Sequence, residues 1–470
     1  MSLLRRVRAR SAVTALLADG GVTLSWADLD DRSRAFAAHL RARGVRSADR
    51  VAVQAPNSVE VVVALLACHR LGAIYVPVNP GYQDQELAHI VSDSTPRLLL
   101  RAADLTVSRS SAAVANEGPV DAAQTALLIY TSGTTGKSKG CMLSFANVQA
   151  AVTALMGLWE ISPADEIVHA LPLFHVHGLC VALHGALLTG ARTRLLPRFS
   201  PEHVVDAIRA GGTVFMGVPT MYRRLLDHLA ARPGDGAVLA GARLFCCGSA
   251  PLPAADLEEF SARTGHRIIE RYGMSETLIT LSNPLTGTRK PGSVGQPIPG
   301  VRICVGSAED SDELLVQGPG VMQGYWKNAD ATAKTFEHGW MKTGDLVRVD
   351  DDGYVTIVGR LSTDILKVGG YKISTREIEE ALADFPGLLE VAVVGVPDRE
   401  WGQRVVACIV GDLALRARPR DELLRALQAH VRLYDSKKPR GVLMLTALPR
   451  NAMGKVQKSL LARQAVAAQV

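Results

Sequence analysis

The sequence predicts an α/β protein. A large N-terminal domain of layered α/β subdomains ends in a small β-rich subdomain, and a small C-terminal α+β domain follows. Three observations carry this. Apolar strand-length runs alternate with amphipathic helical runs up to about residue 280. Short strands between Gly/Pro turns follow. After Gly359-Arg360 a stretch of typical domain size has helix and strand patterns of its own.

The elements read in order. LSWADLDDRSRAFAAHLRARG is an amphipathic helix stopped at Gly44, and RVAVQAP is a strand. VEVVVALLACHRLG is a helix, AIYVPVNP a strand, DQELAHIVSDS a helix, and PRLLLRAA and TALLIYTS are strands. The same rhythm returns in GTVFMGVP, TMYRRLLDHLAARPG and ARLFCCGSA. PGSVGQPIPGVRICV, DELLVQGPG and DGYVTIVGR form the β-rich part. Beyond it, TREIEEALADFPG is a helix, LEVAVVGVPD and WGQRVVACIVG are strands, DELLRALQAHVRLY is a helix and GVLMLTALP a strand. Domains are expected at 1–360 and 361–470, with the boundary between Leu361 and Asp364.

Composition narrows the function. With 470 residues, 47% hydrophobic and 21% charged, the chain is an ordinary globular protein of more than one domain. A net charge of +6 suits anionic small molecules. No basic block with interleaved aromatics appears, so no nucleic-acid partner is expected. The longest apolar stretch, Val59 to Val78, is broken by His69 and Arg70, which reads as helix then strand and not as a membrane span. Seven cysteines form no CxxC pair, which argues against zinc and for a reducing compartment. The Arg-rich N-terminus has an apolar core, Ala12 to Leu17, too short for a signal peptide, so the cytoplasm is expected.

The stretch TSGTTGKSKG, Thr131 to Gly140, follows a buried strand. It ends almost like a Walker A loop, but that template needs glycine where Thr131 stands. Gly133, Gly136 and Gly140, the hydroxyls of Thr131, Ser132, Thr134 and Thr135, and two lysines remain. Glycines let backbone N–H groups close on an anion, and hydroxyl and ammonium groups add donors. The plain alternative is a polar hairpin turn.

Here the chain resembles the adenylate-forming superfamily of acyl-CoA synthetases, luciferases and peptide-synthetase adenylation domains. Ser138 stands where that family's loop carries proline, which implies a more mobile loop. Further motifs follow in family order: Arg271-Tyr-Gly-Met-Ser-Glu-Thr277, Thr343-Gly-Asp345, Gly353-Tyr with Gly359-Arg360, Lys367-Val-Gly-Gly-Tyr-Lys-Ile373 and Pro449-Arg-Asn-Ala-Met-Gly-Lys455. The resemblance implies that ATP, Mg2+ and coenzyme A are used to turn a carboxylate into a thioester through an acyl-adenylate. Lys455 is implied as the cation bridging the attacking carboxylate and the α-phosphate, and Glu276 with Thr134 as metal contacts. Thr131, Ser132, Gly133, Thr134, Thr135, Gly136 and Lys139 are implied as contacts to ATP's phosphates, with Lys137 as a further candidate. Gly248, Ser249, Ala250, Arg271, Tyr272, Gly273, Met274 and Ser275 complete the nucleotide site, with Asp345 and Arg360 on the ribose. Lys367, Gly369, Gly370 and Lys372 would serve coenzyme A.

Three features narrow the acid. In Leu171-Pro-Leu-Phe-His-Val-His-Gly-Leu179, His175 stands where acyl-CoA synthetases carry a histidine near the acyl pocket and the thiol path; the plain reading of both histidines is packing. In Pro219-Thr-Met-Tyr-Arg-Arg-Leu-Leu226, Tyr222, Leu225, Leu226 and Leu229 make an apolar helical stripe, Arg223 has Asp227 at i+4, and Arg224 has no such partner. An apolar pocket for a second carboxylate needs a guanidinium. Finally, LPLFHVHGL, GVPTMYxR, GSA and RYGMSET are similar to the malonyl-CoA and methylmalonyl-CoA synthetases, which implies Arg224, Ser249 and His175 at the distal carboxylate and makes Arg271 another basic candidate. The expected partners are a small dicarboxylic acid, ATP and CoA, in a monomer or homodimer. A ligase for another short-chain or aromatic acid, an enzyme loading a carrier protein, and a binding protein without chemistry remain the alternatives.

Overall fold

A computed structural model describes residues 7, 11–106, 120–131, 138–307, 310, 312–369, 371–451 and 454–470. The chain divides into two compact units. One comprises 1–304, 315–342 and 350–355, and the other 305–314, 343–349 and 356–470. Short strands in the β-rich stretch are divided between them.

The first unit holds two sheets. The six-stranded sheet runs Gly324–Tyr325, Lys139–Ser144, Thr125–Thr131, Ile74–Val78, Arg50–Gln54, Leu98–Arg101. Its middle strands are parallel, as βαβ crossovers require, and the Thr125–Thr131 and Lys139–Ser144 pair is antiparallel. The nine-stranded sheet runs Gln296–Pro297, Leu281–Ser282, Ile269–Tyr272, Leu244–Cys247, Val214–Gly217, Glu166–His169, Arg192–Leu195, Thr14–Ala18, Val22–Ser25. The apolar N-terminal run therefore forms an inner strand, Thr14–Ala18, parallel to Arg192–Leu195.

Local chemistry sets the helices. Ser25 caps Trp26–Ala42 through a capping box with Asp28. Ser58 caps Val59–Leu71, and Gly72 ends it in the left-handed conformation. Pro219 opens Pro219–Ala231 without needing a donor. Its stripe of Tyr222, Leu225, Leu226 and Leu229 is buried with Phe215, Phe245 and Phe260. The buried Tyr222 hydroxyl donates to the Cys246 carbonyl at 2.7 Å, so a polar atom ties this helix to the sheet. The run Val59 to Val78 is a buried helix followed by the strand Ile74–Val78. Among the described residues no helix is long and apolar enough to cross a membrane.

The second unit is built on the five-stranded sheet Tyr371–Ser374, Ile365–Val368, Gly402–Gly411, Leu388–Asp398, with Gly441–Leu445 parallel to Gly402–Gly411. Thr375–Leu382 and Arg420–His430 cover one core, which includes Ile378, Leu382, Leu423 and Leu427. Lys458–Ala467 covers another through Leu461 and Ala465.

One ion pair in the first unit is fully enclosed. Arg70 Nη2 meets Asp30 Oδ1 at 2.5 Å with both side chains at 0% exposure, and Arg70 Nε donates to Ser33 Oγ. Removing Arg70 leaves the enclosed Asp30 to the half-exposed Arg34, at 2.8 Å. Arg70→Met should lower unfolding stability by up to about 3 kcal/mol, since Arg34 still faces Asp30, read by urea denaturation. Adding Asp30→Leu should recover most of that loss; no recovery would mean the pair is not the source.

Candidate active site

In the nine-stranded sheet, Glu166–His169, Val214–Gly217, Leu244–Cys247 and Ile269–Tyr272 are parallel neighbours, with Val214 opposite Ile167, Met216 opposite Cys246 and Cys247 opposite Glu270. Their C-terminal ends open side by side, where α/β sheets bind ligands. The segments leaving them carry His175 and His177, Arg224, Gly248-Ser249-Ala250, and Gly273-Met274-Ser275-Glu276.

The strongest feature there is Arg271. It is 4% exposed, and its Nε and Nη2 have no hydrogen-bond partner among the described residues. Gly248 makes room for it, since a Cβ there would lie 2.6 Å from Arg271 Cζ. Ser249 holds φ at 72°, a conformation that costs a non-glycine residue energy. Its Oγ lies 3.4 Å from His177 Nδ1, while His177 Nε2 is buried without a partner among the described residues. Burial first, then the Arg271 charge, pushes the His177 pKa well below the usual imidazole value. Burial lowers His175 to about 4. His177 opens a π-helical turn, His177–Leu183, of the kind that often marks functional sites. The histidine meeting Ser249 is thus His177, whereas the sequence singled out His175. Arg224 is exposed, with its guanidinium 5.0 Å over the Phe199 ring. Arg223 pairs with Asp227 at 2.9 Å, as its spacing predicts.

A second group lies at the hairpin. Thr131 and Lys139 are directly paired at its two ends. The expected contacts Ser132, Gly133, Thr134, Thr135 and Gly136 lie outside the described residues, as does Lys137. Lys139 Nζ lies 5.0 Å over the Tyr325 ring, and the Tyr325 hydroxyl donates to Glu276 Oε1 at 2.9 Å. Glu276 is 6% exposed. Burial and the Glu276 charge push the Tyr325 pKa up. Tyr325 arrives on a strand paired with Cys141 and Met142, a long-range contact that no local sequence pattern marks. The Ser275 carbonyl accepts the Cys141 thiol at 3.3 Å. Gly273 is needed in this turn, since a Cβ would lie 2.0 Å from the Leu278 carbonyl oxygen. Tyr272 and Met274 are half-buried beside it. No cluster of three or more His, Cys, Asp or Glu among the described residues suits a metal ion. The single hard carboxylate of Glu276 fits magnesium carried mainly by phosphate oxygens and water.

In the second unit, Arg360 Nη2 meets Asp345 Oδ2 at 2.8 Å, with the Asp345 side chain 6% exposed. Thr343 Oγ1 accepts the Asp345 amide and donates to the Leu314 carbonyl. The Lys455 turn is laced by its backbone: Asn451 N donates to Lys455 O, Gly454 N to Asn451 O and Gln457 N to Pro449 O. Although Lys455 keeps solvent contact, crowding first and the Arg360 charge next lower its pKa, while Asp364 and Asp345 pull it up. Lys367 and Lys372 are exposed cross-strand partners, and Lys372 Nζ meets the buried Asp310 Oδ2 at 2.5 Å. Gly369 holds φ at 56° with the Trp401 ring behind it; Gly370 lies outside the described residues.

Family comparison agrees with this architecture. The AMP-binding enzyme model matches residues 3–326 and the AMP-binding enzyme C-terminal domain matches 377–455. The chain belongs to the AMP-binding enzyme family. Among its relatives, malonate–CoA ligase of Arabidopsis thaliana is 36% identical, over 87% of this chain and 77% of that protein. ATP-bound MatB from Rhodopseudomonas palustris superposes with a TM-score of 0.91 at 35% identity, over 99% of each chain. A malonyl-CoA ligase in a ternary product complex with methylmalonyl-CoA and AMP gives 0.71 at 40% identity, over 95% of this chain and 99% of that one.

The buried histidines give the first unit a pH limit. His169, His175 and His184 have pKa values lowered to about 4, chiefly by burial. Above pH 6.5 these rings are neutral folded and unfolded, and full stability is present. Between 6.5 and about 4 the unfolded chain binds protons that the folded chain refuses, so stability falls with pH. Each ring contributes a slope approaching about 1.4 kcal/mol per pH unit. The melting temperature should drop between pH 6.5 and 4.5, and a flat profile there would rule the account out.

Proposed function

We propose that this chain is an ATP-dependent acid–thiol ligase that converts malonate, or a small 2-substituted malonate, to its CoA thioester through an acyl-adenylate. One observation carries the choice of acid: the buried, unpartnered guanidinium of Arg271 beside Ser249 and His177. A buried cation without an anion is costly, and a ligand carboxylate would supply the missing acceptors in a charge-assisted pair. A monocarboxylic chain would leave that cost in place. The relatives named malonate–CoA ligase and malonyl-CoA ligase support the same acid.

The substrates are then the dicarboxylate, ATP and CoA. One carboxylate oxygen attacks the α-phosphorus, the bond to the β-phosphate oxygen breaks, and pyrophosphate leaves. The CoA sulfur next attacks the acyl carbon, and AMP leaves. Two anions must meet in the first step, so fixed cations and donors lower its barrier. Lys455 takes that role at the reacting carboxylate and α-phosphate, and Lys139 with the Thr131 hairpin serves the outer phosphates. Glu276, held by Tyr325, would bind Mg2+, which when bound neutralises phosphate charge. Asp345 and Arg360 serve the ribose hydroxyls, and Tyr272 with Gly248 to Ala250 the adenine. Arg271, with Arg224 as a second guanidinium, holds the distal carboxylate. Lys367, Gly369, Gly370 and Lys372 serve CoA. Residues 1–360 act as the adenylation domain and 361–470 as its lid, pivoting between Leu361 and Asp364. The reading includes a cytoplasmic monomer or homodimer, in keeping with seven unpaired cysteines.

Pyrophosphate release across mono- and dicarboxylic acids tests the reading, with malonate expected above propionate, succinate and aromatic acids. Arg271→Met should cut kcat/KM for malonate by roughly 100-fold, as loss of a buried charge partner implies. Propionate use should change far less; equal losses would make Arg271 structural. Lys455→Ala should abolish pyrophosphate formation while a preformed acyl-adenylate still reacts with CoA. Comparing free CoA with an acyl-carrier protein separates the ligase from a carrier-loading enzyme.

A further inference from the structure

Three residues after the exposed Lys455, the chain encloses most of a second lysine. Lys458 opens the helix Lys458–Ala467, and its side chain is 15% exposed. Its ammonium group lies 2.6 Å from Thr375 Oγ1, 2.9 Å from Asp364 Oδ1 and 2.8 Å from Glu379 Oε1. Three acceptors match the three donors of an ammonium group. The acceptors are themselves anchored. Glu379 Oε1 also accepts the Val393 amide at 2.7 Å. Asp364 Oδ2 accepts the Arg360 amide at 3.1 Å, and the Asp364 carbonyl accepts the Thr375 amide at 2.8 Å. One buried cation thus joins the helix after the Lys455 turn to the helix Thr375–Leu382 and to the strand end that carries Arg360.

We propose that Lys458 is the positioning residue for Lys455, fixing its turn relative to Asp364 and Arg360. The proposal rests on the adenylation role given to Lys455. Backbone bonds among Pro449, Asn451, Gly454, Lys455 and Gln457 close the turn on itself, and Arg450 ties its start to Glu390. Lys458 anchors its other side, toward Asp364 and Arg360. A catalytic group displaced by about 1 Å loses much of its effect, so the brace bears on the step Lys455 serves. It also sets the charge around Lys455, whose charged neighbours are Arg360, Asp364, Asp345 and Lys458. Lys458 opposes protonation of Lys455 and Asp364 favours it.

The test compares the half-reactions in the full-length enzyme. Lys458→Met should slow pyrophosphate formation roughly ten- to hundredfold, while consumption of preformed acyl-adenylate by CoA stays within about threefold. The basic limb of the pH profile for pyrophosphate formation should move to higher pH, since a like charge is gone and Asp364 has lost its partner. Lys458→Arg should restore most of the rate. Should Lys458→Met fail to fold, Thr375→Val removes one acceptor with little change of shape and should give the same selective loss on a smaller scale. Equal loss in both half-reactions, or no loss in the first, overturns the brace. Lys455→Ala run in parallel keeps the two ideas apart. If it stops pyrophosphate formation and the Lys458 variants do not slow it, only the brace fails. If it leaves pyrophosphate formation intact, the role of Lys455 fails first.

Discussion

The alignment of four parallel strands is the constraint on which the first unit depends. Glu166–His169, Val214–Gly217, Leu244–Cys247 and Ile269–Tyr272 keep register because their alternate residues fill cores on both faces of the sheet. A slip of one residue would turn Phe215, Phe245 and Cys247 out of the core that includes Tyr222 and Phe260. Because register holds, the exits of these strands lie side by side. His177, Ser249 and Arg271 come from three of them, and only this topology makes them neighbours. The site's unpartnered polar atoms carry a local cost, which apolar packing elsewhere in the fold offsets.

The second unit solves a different problem. Several of its enclosed charges are matched: Asp345 with Arg360, Asp310 with Lys372, and Lys458 with Asp364 and Glu379. Matched charges orient one another without a ligand. An unmatched guanidinium waits for one. Under the proposed function, the contrast would place the choice of acid in the first unit and the ordering of a reactive lysine in the second.

Local signals revealed the elements well, and long-range partners poorly. DQELAHIVSDS is the helix Asp84–Ser94, and the Pro219 stripe is buried as its spacing requires. Such features depend on neighbours three or four residues away, which a sequence displays. The π-helical turn His177–Leu183 escaped because its period matches neither an α-helix nor a strand. Motifs pointed to Glu276 and Arg271, but not to what surrounds them. Tyr325 meets Glu276 across 49 residues, and Lys458 meets Thr375 across 83. Nothing local in GPGVMQGYW or GKVQKSLL marks either contact. Arg224 and Arg271 were both candidates for one carboxylate. Burial separates them, and burial depends on the whole fold: Arg271 is enclosed, whereas Arg224 is exposed over Phe199.

In the proposed reaction the two cations, Arg271 and Lys455, would have different tasks. A distal carboxylate remains charged throughout the reaction, so its partner should be a permanent cation with a planar fork of donors. Arginine provides this and stays charged under burial that would discharge a lysine. The reacting carboxylate loses its charge as the acyl-adenylate forms, so its partner must act on charge that moves. A lysine on a turn offers a compact ammonium group with rotatable donors, and the opposing fields of Arg360, Asp364, Asp345 and Lys458 tune its proton affinity. Exchanging the two residue types would satisfy net charge and fail both tasks: lysine at 271 would give up a proton in its apolar surroundings, and arginine at 455 would lose the point-like charge the moving anion requires.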